Sequence, residues 1–121
     1  MIVVDTSVWV QHLRNGDDRL VLLLETGAVL THPWVLGELA LGHLRAGSEV
    51  LDLLPRLPQA EVASAAVVLA LITAHQLQGS GIGYVDAQLL AAVRLTPGAR
   101  LWSHDRQLSA VASRLGNAHV A

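Results

Sequence analysis

The sequence predicts an α/β fold built on a central parallel sheet with helices on both faces. Three observations carry that prediction. The strand candidates are short and uniformly apolar, and helical segments separate them, which is the pattern of strands buried on both sides. The length of 121 residues fits one domain, so 1–121 is read as a single unit. A composition of 52% apolar and 15% charged residues supplies a core and argues against disorder.

Ile2-Val3-Val4 is a β-branched run ending at Asp5 and reads as a buried strand. Thr6 to Arg14 reads as a helix, Asn15-Gly16-Asp17 as a turn, and Asp18 to Glu25 as a second helix. Ala28 to Leu30 is the second strand. Thr31-His32-Pro33 opens a helix running to about Arg45, with Pro33 placed early, where its missing N–H costs nothing. Ser48 to Leu54 is a short helix, broken by Pro55 and Pro58. Glu61 to Gln78 holds a longer helix, and Gly79, Gly81 and Gly83 mark a break after it. Tyr84 to Leu95 is a helix stopped by Thr96-Pro97-Gly98. Arg100 to Ser103 is a strand, Asp105 to Leu115 a helix, and Ala118 to Val120 a final strand.

Composition excludes several chemistries. There is no cysteine, so disulfide scaffolds, thiolate zinc sites and thiol nucleophiles are out. All eight basic residues are arginine, which removes mechanisms that need an ammonium group, such as the P-loop and Schiff bases. The net charge of −2 argues against a broadly basic nucleic-acid binder. The N-terminus lacks a basic segment before its apolar run. The longest apolar run, Ala65 to Ile72, is eight residues, too short to span a membrane. The expectation is a soluble cytoplasmic protein with no membrane partner.

What remains is ten acids, and their placement is informative. Asp17 and Asp18 sit where carboxylates cap a helix, and Glu25, Glu49, Asp52 and Glu61 sit among polar or turn residues. Asp5, Glu38, Asp86 and Asp105 differ, because each is the lone acid of an apolar segment. A charge there is costly unless it is paired or bound to a cation. Arg14, Arg45, Arg94, Arg100 and Arg106 are the available partners, and Asp5 and Asp105 also fit as helix N-caps. Asp5 and Asp105 close predicted strands, and the helices carrying Glu38 and Asp86 begin near the same sheet edge. That edge is where open parallel sheets bind ligands.

Four carboxylates sharing one crevice repel strongly. At about 5 Å and an effective dielectric near 20, each pair costs roughly 3 kcal/mol. Several such pairs approach the total stability of a small domain, about 5–15 kcal/mol. Protonation or a bound cation relieves this, and oxygen-only donors select a hard ion, Mg²⁺ or Mn²⁺. Such a site suits phosphodiester hydrolysis by activated water and needs no protein nucleophile. Thr6 and Ser103 flank the strand-end aspartates and would orient a carboxylate or a water, or simply cap a turn.

Four segments occur in order: Val3-Val4-Asp5-Thr6-Ser7, Gly37-Glu38-Leu39, Gly81 to Ala92 around Tyr84-Val85-Asp86, and Leu101-Trp102-Ser103-His104-Asp105-Arg106-Gln107-Leu108. Together they make the chain resemble PIN domains of the VapC type, toxins of bacterial type II toxin–antitoxin pairs. The resemblance implies a three-layer α/β/α sandwich and a Mg²⁺- or Mn²⁺-dependent endoribonuclease. It matches Asp5, Glu38, Asp86 and Asp105 to the catalytic acids, with Asp5, Asp86 and Asp105 on the metal and Thr6 and Ser103 in support. It also implies an RNA substrate, a cognate antitoxin and a homodimer. Leu108 departs from the pattern, since many members carry an aromatic residue there.

Other signals are weaker. The six histidines include no His-Glu-x-x-His or i,i+4 pair, so zinc is not indicated, although His104 beside Asp105 is placed for a contact with RNA or a ligand. Gly79 to Tyr84 lacks the last glycine of a dinucleotide fingerprint and follows a helix. Trp9 and Trp34 read as core or interface residues, and Leu20 to Leu24 as helix packing or a partner groove. Arg14, Arg45, Arg100 and Arg106 are the candidate phosphate contacts. Two other functions stay open: a PIN-fold module that only binds a partner, and an aspartyl-phosphate phosphatase using Asp5. The phosphatase is disfavoured because Asp5-Thr6-Ser7 lacks a second aspartate and the chain lacks lysine.

Overall fold

The computed structural model describes residues 1–42 and 49–120. In chain order the elements are β1 (Ile2–Val4), α1 (Thr6–Asn15), α2 (Asp18–Glu25), β2 (Val29–Leu30), α3 (Pro33–Gly42) and α4 (Glu49–Leu53). A single 3-10 turn (Leu54–Arg56) follows, then α5 (Ala65–Ala74), α6 (Tyr84–Leu95), β3 (Arg100–Trp102) and α7 (Arg106–Arg114).

The three strands form one parallel sheet in the order β2-β1-β3. Ile2 pairs with Val29 on one side and Arg100 on the other, and Val4 pairs with Trp102. β1 is therefore central, and Val3 and Val4 are wholly buried. Helices pack against this sheet, making an α/β sandwich. α6 and α7 lie on β3, α1 packs on α3, and α5 packs on α6. α6 buries every residue from Ala87 to Val93, so it forms the wall of the core beside the sheet. Burial of each large aliphatic side chain here contributes roughly 1.5–3 kcal/mol. Small residues set the α5–α6 contact, where Ala63, Val68, Ala87 and Ala91 form a tight cluster.

Two expected elements differ. The helix expected over Glu61 to Gln78 spans only Ala65–Ala74. Ser64 caps it by accepting the Val67 N–H at 3.2 Å, and Gln76 ends it with a left-handed φ of 53°. The final strand expected at Ala118 to Val120 is a single parallel bridge between Ala118 and Leu101. Gly116 turns the chain there (φ +75°), and Leu101 alone pairs with the returning segment. A matching bridge joins Thr31 and Gln59 at the other sheet edge. The end of the α3 helix expected near Arg45, and Ser48 at the start of the next, lie outside the described residues. No described helix is long and apolar enough to cross a membrane.

The parallel sheet puts all three strand ends on one edge, and α1 and α7 start directly from it. Three of the four singled-out acids stand at helix starts. Asp5 precedes α1, Asp105 precedes α7, and Asp86 lies in the first turn of α6. Helix N-termini are electropositive, so each contributes about 0.3–1 kcal/mol toward holding a carboxylate there.

Candidate active site at the carboxyl edge of the sheet

Asp5 is the anchor. Its N–H donates to the Trp102 carbonyl at 2.9 Å, which carries the β1–β3 ladder one residue past the strand. It occupies the N-cap position of α1, yet its side chain caps nothing. Instead Oδ2 accepts hydroxyl bonds from Ser7 and Ser103, each at 2.7 Å. Asp5 is 6% exposed, the one buried acid among the described residues.

The two serines are themselves fixed by backbone donors. Ser7 Oγ accepts the His104 N–H at 3.0 Å, and Ser103 Oγ accepts the Asp105 N–H at 3.0 Å. A hydroxyl has one proton to give, and both serines give theirs to Asp5. Their mutual Oγ separation of 3.3 Å is then a packing contact between two oriented hydroxyls. This network locks the end of β1 to the end of β3.

The other three acids arrive from separate elements. Glu38 Oε1, on α3, accepts the Thr6 hydroxyl at 2.7 Å. Asp86 Oδ2 accepts the Gly83 N–H at 3.1 Å and so helps start α6. Asp105 Oδ1 caps α7 by accepting the Leu108 N–H at 2.9 Å. Each carboxylate thus uses one oxygen on the protein, and its second oxygen accepts no hydrogen bond among the described residues.

The other three acids bear on Asp86 electrostatically. The Asp86 carboxyl is held above its ordinary value of 3.8, first by burial and then by repulsion from Asp5, Asp105 and Glu38. The Gly83 N–H acts in the opposite direction. No described arginine relieves this, because the one ion pair among the described residues is Arg19–Asp17 at 2.9 Å. The arginine-pairing explanation therefore fails for the described part of the chain. Arg94 instead bonds Asn117 Oδ1 and the Leu115 carbonyl. Arg100 is also removed as a phosphate contact: it stands at the amino end of β3 and bonds the Gly116 carbonyl at 3.0 Å. Arg45 lies outside the described residues. Arg14 borders a recess shared with Thr6 and Ser7, and Arg106 follows Asp105 at the site's rim.

The donor set fits a hard divalent ion. Among the described residues, no three Asp, Glu or His side chains are gathered tightly enough to chelate one ion by themselves. Mg²⁺ keeps several of its waters and takes only one or two carboxylates directly, so carboxylates with spare oxygens around a shared space suit it.

The family model for the PIN domain matches residues 2–114. The chain belongs to the PIN-domain family. Ribonuclease VapC32 of Mycobacterium tuberculosis is 48% identical over 116 residues, covering 96% of this chain and 94% of the relative, in strain CDC 1551 / Oshkosh and equally in strain ATCC 25618 / H37Rv. The resemblance to VapC-type PIN domains stated from four short segments is borne out.

One residue escaped the sequence reading. Ser7 does as much for Asp5 as Ser103 does, but only Thr6 and Ser103 were singled out. The available signal was the Asp-x-Ser spacing, which lets a hydroxyl two residues on reach back to the carboxylate. His104 contributes its backbone N–H to this network, while its ring packs against Trp102 at 5.8 Å. The Gly79–Gly83 segment has a structural role. Gly81, with φ +87°, lies so close to Gln107 that a Cβ there would stand 2.5 Å from its Nε2. That close approach packs the lead-in to α6 against α7.

Proposed function

We propose that this PIN-domain chain is a divalent-metal-dependent endoribonuclease that hydrolyses RNA phosphodiester bonds and serves as the toxin of a toxin–antitoxin pair. Its family and its relative named as a ribonuclease support the activity. One observation carries the chemistry: four carboxylates share the carboxyl edge of the sheet, and no described cation pairs with any of them.

Asp5, Asp86 and Asp105 would hold Mg²⁺, with Mn²⁺ as its substitute, one or two of them directly through the oxygens not used on the protein and the rest through the ion's waters. When bound, the ion supplies Lewis-acid polarisation of the phosphodiester and activation of a water. Glu38 completes the catalytic acids, with Thr6 fixing Oε1 and leaving Oε2 as a proton acceptor. Ser7 and Ser103 orient Asp5. Arg14 and Arg106 are the phosphate contacts this reading favours, as both are exposed beside the acids.

The same reading includes a homodimer and an antitoxin. α5 is apolar all round, and Val67 and Leu69 leave 42% and 57% of their surface exposed, which supports a partner subunit on that face. On α2, Leu20 is buried while Val21 and Leu22 are exposed, which suits the antitoxin. The chain would act as one domain in the cytoplasm, where its substrate resides.

The test is Asp5→Asn. RNA cleavage is lost, while the far-ultraviolet circular dichroism spectrum is unchanged. Mg²⁺ or Mn²⁺ raises the melting temperature of the parent protein and moves the variant much less. Undiminished cleavage by the variant, or an equal thermal shift in both proteins, overturns the metal-site reading.

A further inference from the structure

We infer that Trp34 and Tyr84 form a platform on which an unpaired nucleobase of the RNA stacks next to the cleavage site. The inference rests on the ribonuclease reading and adds to it a substrate contact outside the acid cluster.

The position is set by helix geometry. Trp34 lies four residues before Glu38 on α3, so both project from one face of that helix. Tyr84 opens α6 two residues before Asp86. The two rings meet edge to face, with centroids 5.7 Å apart and planes at 66°. Each residue is 41% exposed, so neither is a core residue. Trp34 lines an apolar recess of about 410 Å³ together with Pro33, Gly37, Glu38, Leu41 and Val85, the residue after Tyr84. Glu38 borders this recess and also bonds Thr6, so recess and acid cluster share a wall.

The occupant follows from charge. Beside four carboxylates only Arg14 and Arg106 are placed to contact phosphate among the described residues, so affinity must come partly from uncharged contacts. Stacking on an aromatic face is uncharged, and every base offers a π face. The helix start that carries the ring is fixed: the Trp34 backbone N–H donates to Nδ1 of the fully buried His32 at 3.1 Å. A duplex keeps its bases stacked on one another, so the contact selects unpaired RNA.

Fluorescence isolates the contact, because Trp9 and Trp102 are 2% and 4% exposed and Trp34 is the accessible indole. The experiment uses Asp5→Asn protein, which binds without cutting, and a mixed-sequence single-stranded RNA 12-mer carrying a dye. RNA quenches tryptophan emission, and a duplex of the same sequence does not. Adding Trp34→Phe removes the quenching but keeps the affinity measured by dye anisotropy. Adding Trp34→Ala weakens binding by about fivefold or more, the loss expected for one stacked base. In the cleaving protein, Trp34→Ala raises KM by a similar factor with kcat changed less than about twofold. Unchanged affinity and KM in Trp34→Ala overturn the platform alone. Conversion of a dimer to a monomer by Trp34→Ala, seen in light scattering, also overturns it by assigning the face to a second copy. Failure of Asp5→Asn protein to bind RNA, together with failure of the parent to cleave it, overturns the ribonuclease reading itself.

Discussion

Ser103 Oγ donates a 2.7 Å hydrogen bond to Asp5 Oδ2 across 98 residues of chain. The bond spans adjacent strand ends, and Ser7 repeats it from the first turn of α1 at 2.7 Å. A buried carboxylate with two hydroxyl donors has one defined orientation. Ser103→Ala removes one donor, also leaves the Asp105 N–H without its acceptor, and is expected to cost about 1–3 kcal/mol of stability. Activity is expected to fall about 10- to 100-fold, the usual range for groups that orient a metal ligand. Ser7→Ala should resemble it, since Ser7 holds the same oxygen and the His104 N–H. The double variant should lose less than the sum of the singles, because both act on one carboxylate. Urea unfolding and initial cleavage rates measure this, and strict additivity would mean that the serines act separately.

Asp86 is a source of strain as well as a proposed ligand. Its carboxyl is held above the ordinary 3.8 by burial and by the other three acids. The folded state therefore binds this proton more readily than the unfolded chain. The sign follows: the contribution favours folding below pH 3.8 and is lost as pH rises through the folded value. At neutral pH the ionised group opposes folding. Asp86→Asn keeps an oxygen for the Gly83 N–H but carries no charge. In chelator-treated protein at pH 7, the variant is expected to melt higher than the parent, with the gap shrinking on acidification. Its activity should fall by about 100-fold or more, more than a supporting group would cost. A lower melting point at pH 7 would mean that repulsion is not felt at this site.

Much of this was legible in the sequence because the informative residues break a local rule. Asp5 after Ile-Val-Val and Asp105 after Leu-Trp-Ser end buried strands with a charge, and strand ends share an edge in a parallel sheet. Glu38 and Asp86 stood out as lone acids in apolar helices. The pairing of specific hydroxyls was not legible. Whether Ser7 points at Asp5 or caps α1 depends on the position of Ser103, which arrives 96 residues later. The fate of the arginines was hidden for the same reason. Arg100 is near Asp105 in sequence, yet three strand residues carry it to the opposite edge of the sheet. The over-long helix at Glu61 to Gln78 shows a different limit. Its apolar composition has no helical period to mark an end, so only the Ser64 cap and the left-handed Gln76 define it.

Buried His32 predicts an acid sensitivity unrelated to the carboxylates. It is fully buried, and Nδ1 accepts the Trp34 N–H, so the neutral ring carries its proton on Nε2. Nε2 has no hydrogen-bond partner among the described residues. Protonation would have to occur at Nδ1, breaking the bond at the start of α3 and placing a charge in the core. Burial accordingly holds this imidazole below its ordinary 6.5. His119 is lowered too, chiefly by burial and then by the N-terminus, Arg100 and Arg19. The unfolded chain takes up these protons near pH 6.5, before the folded state does. Stability from these groups is thus full above that value and is lost as pH falls toward the folded values. One withheld proton gives a slope of at most about 1.4 kcal/mol per pH unit. His32→Asn keeps an acceptor for the Trp34 N–H and cannot titrate. It should melt lower overall because it leaves a cavity, but its stability should fall less between pH 7 and 5 than that of the parent. Denaturant unfolding across that range decides the point, and parallel pH profiles for parent and variant would show that His32 does not set the acid response.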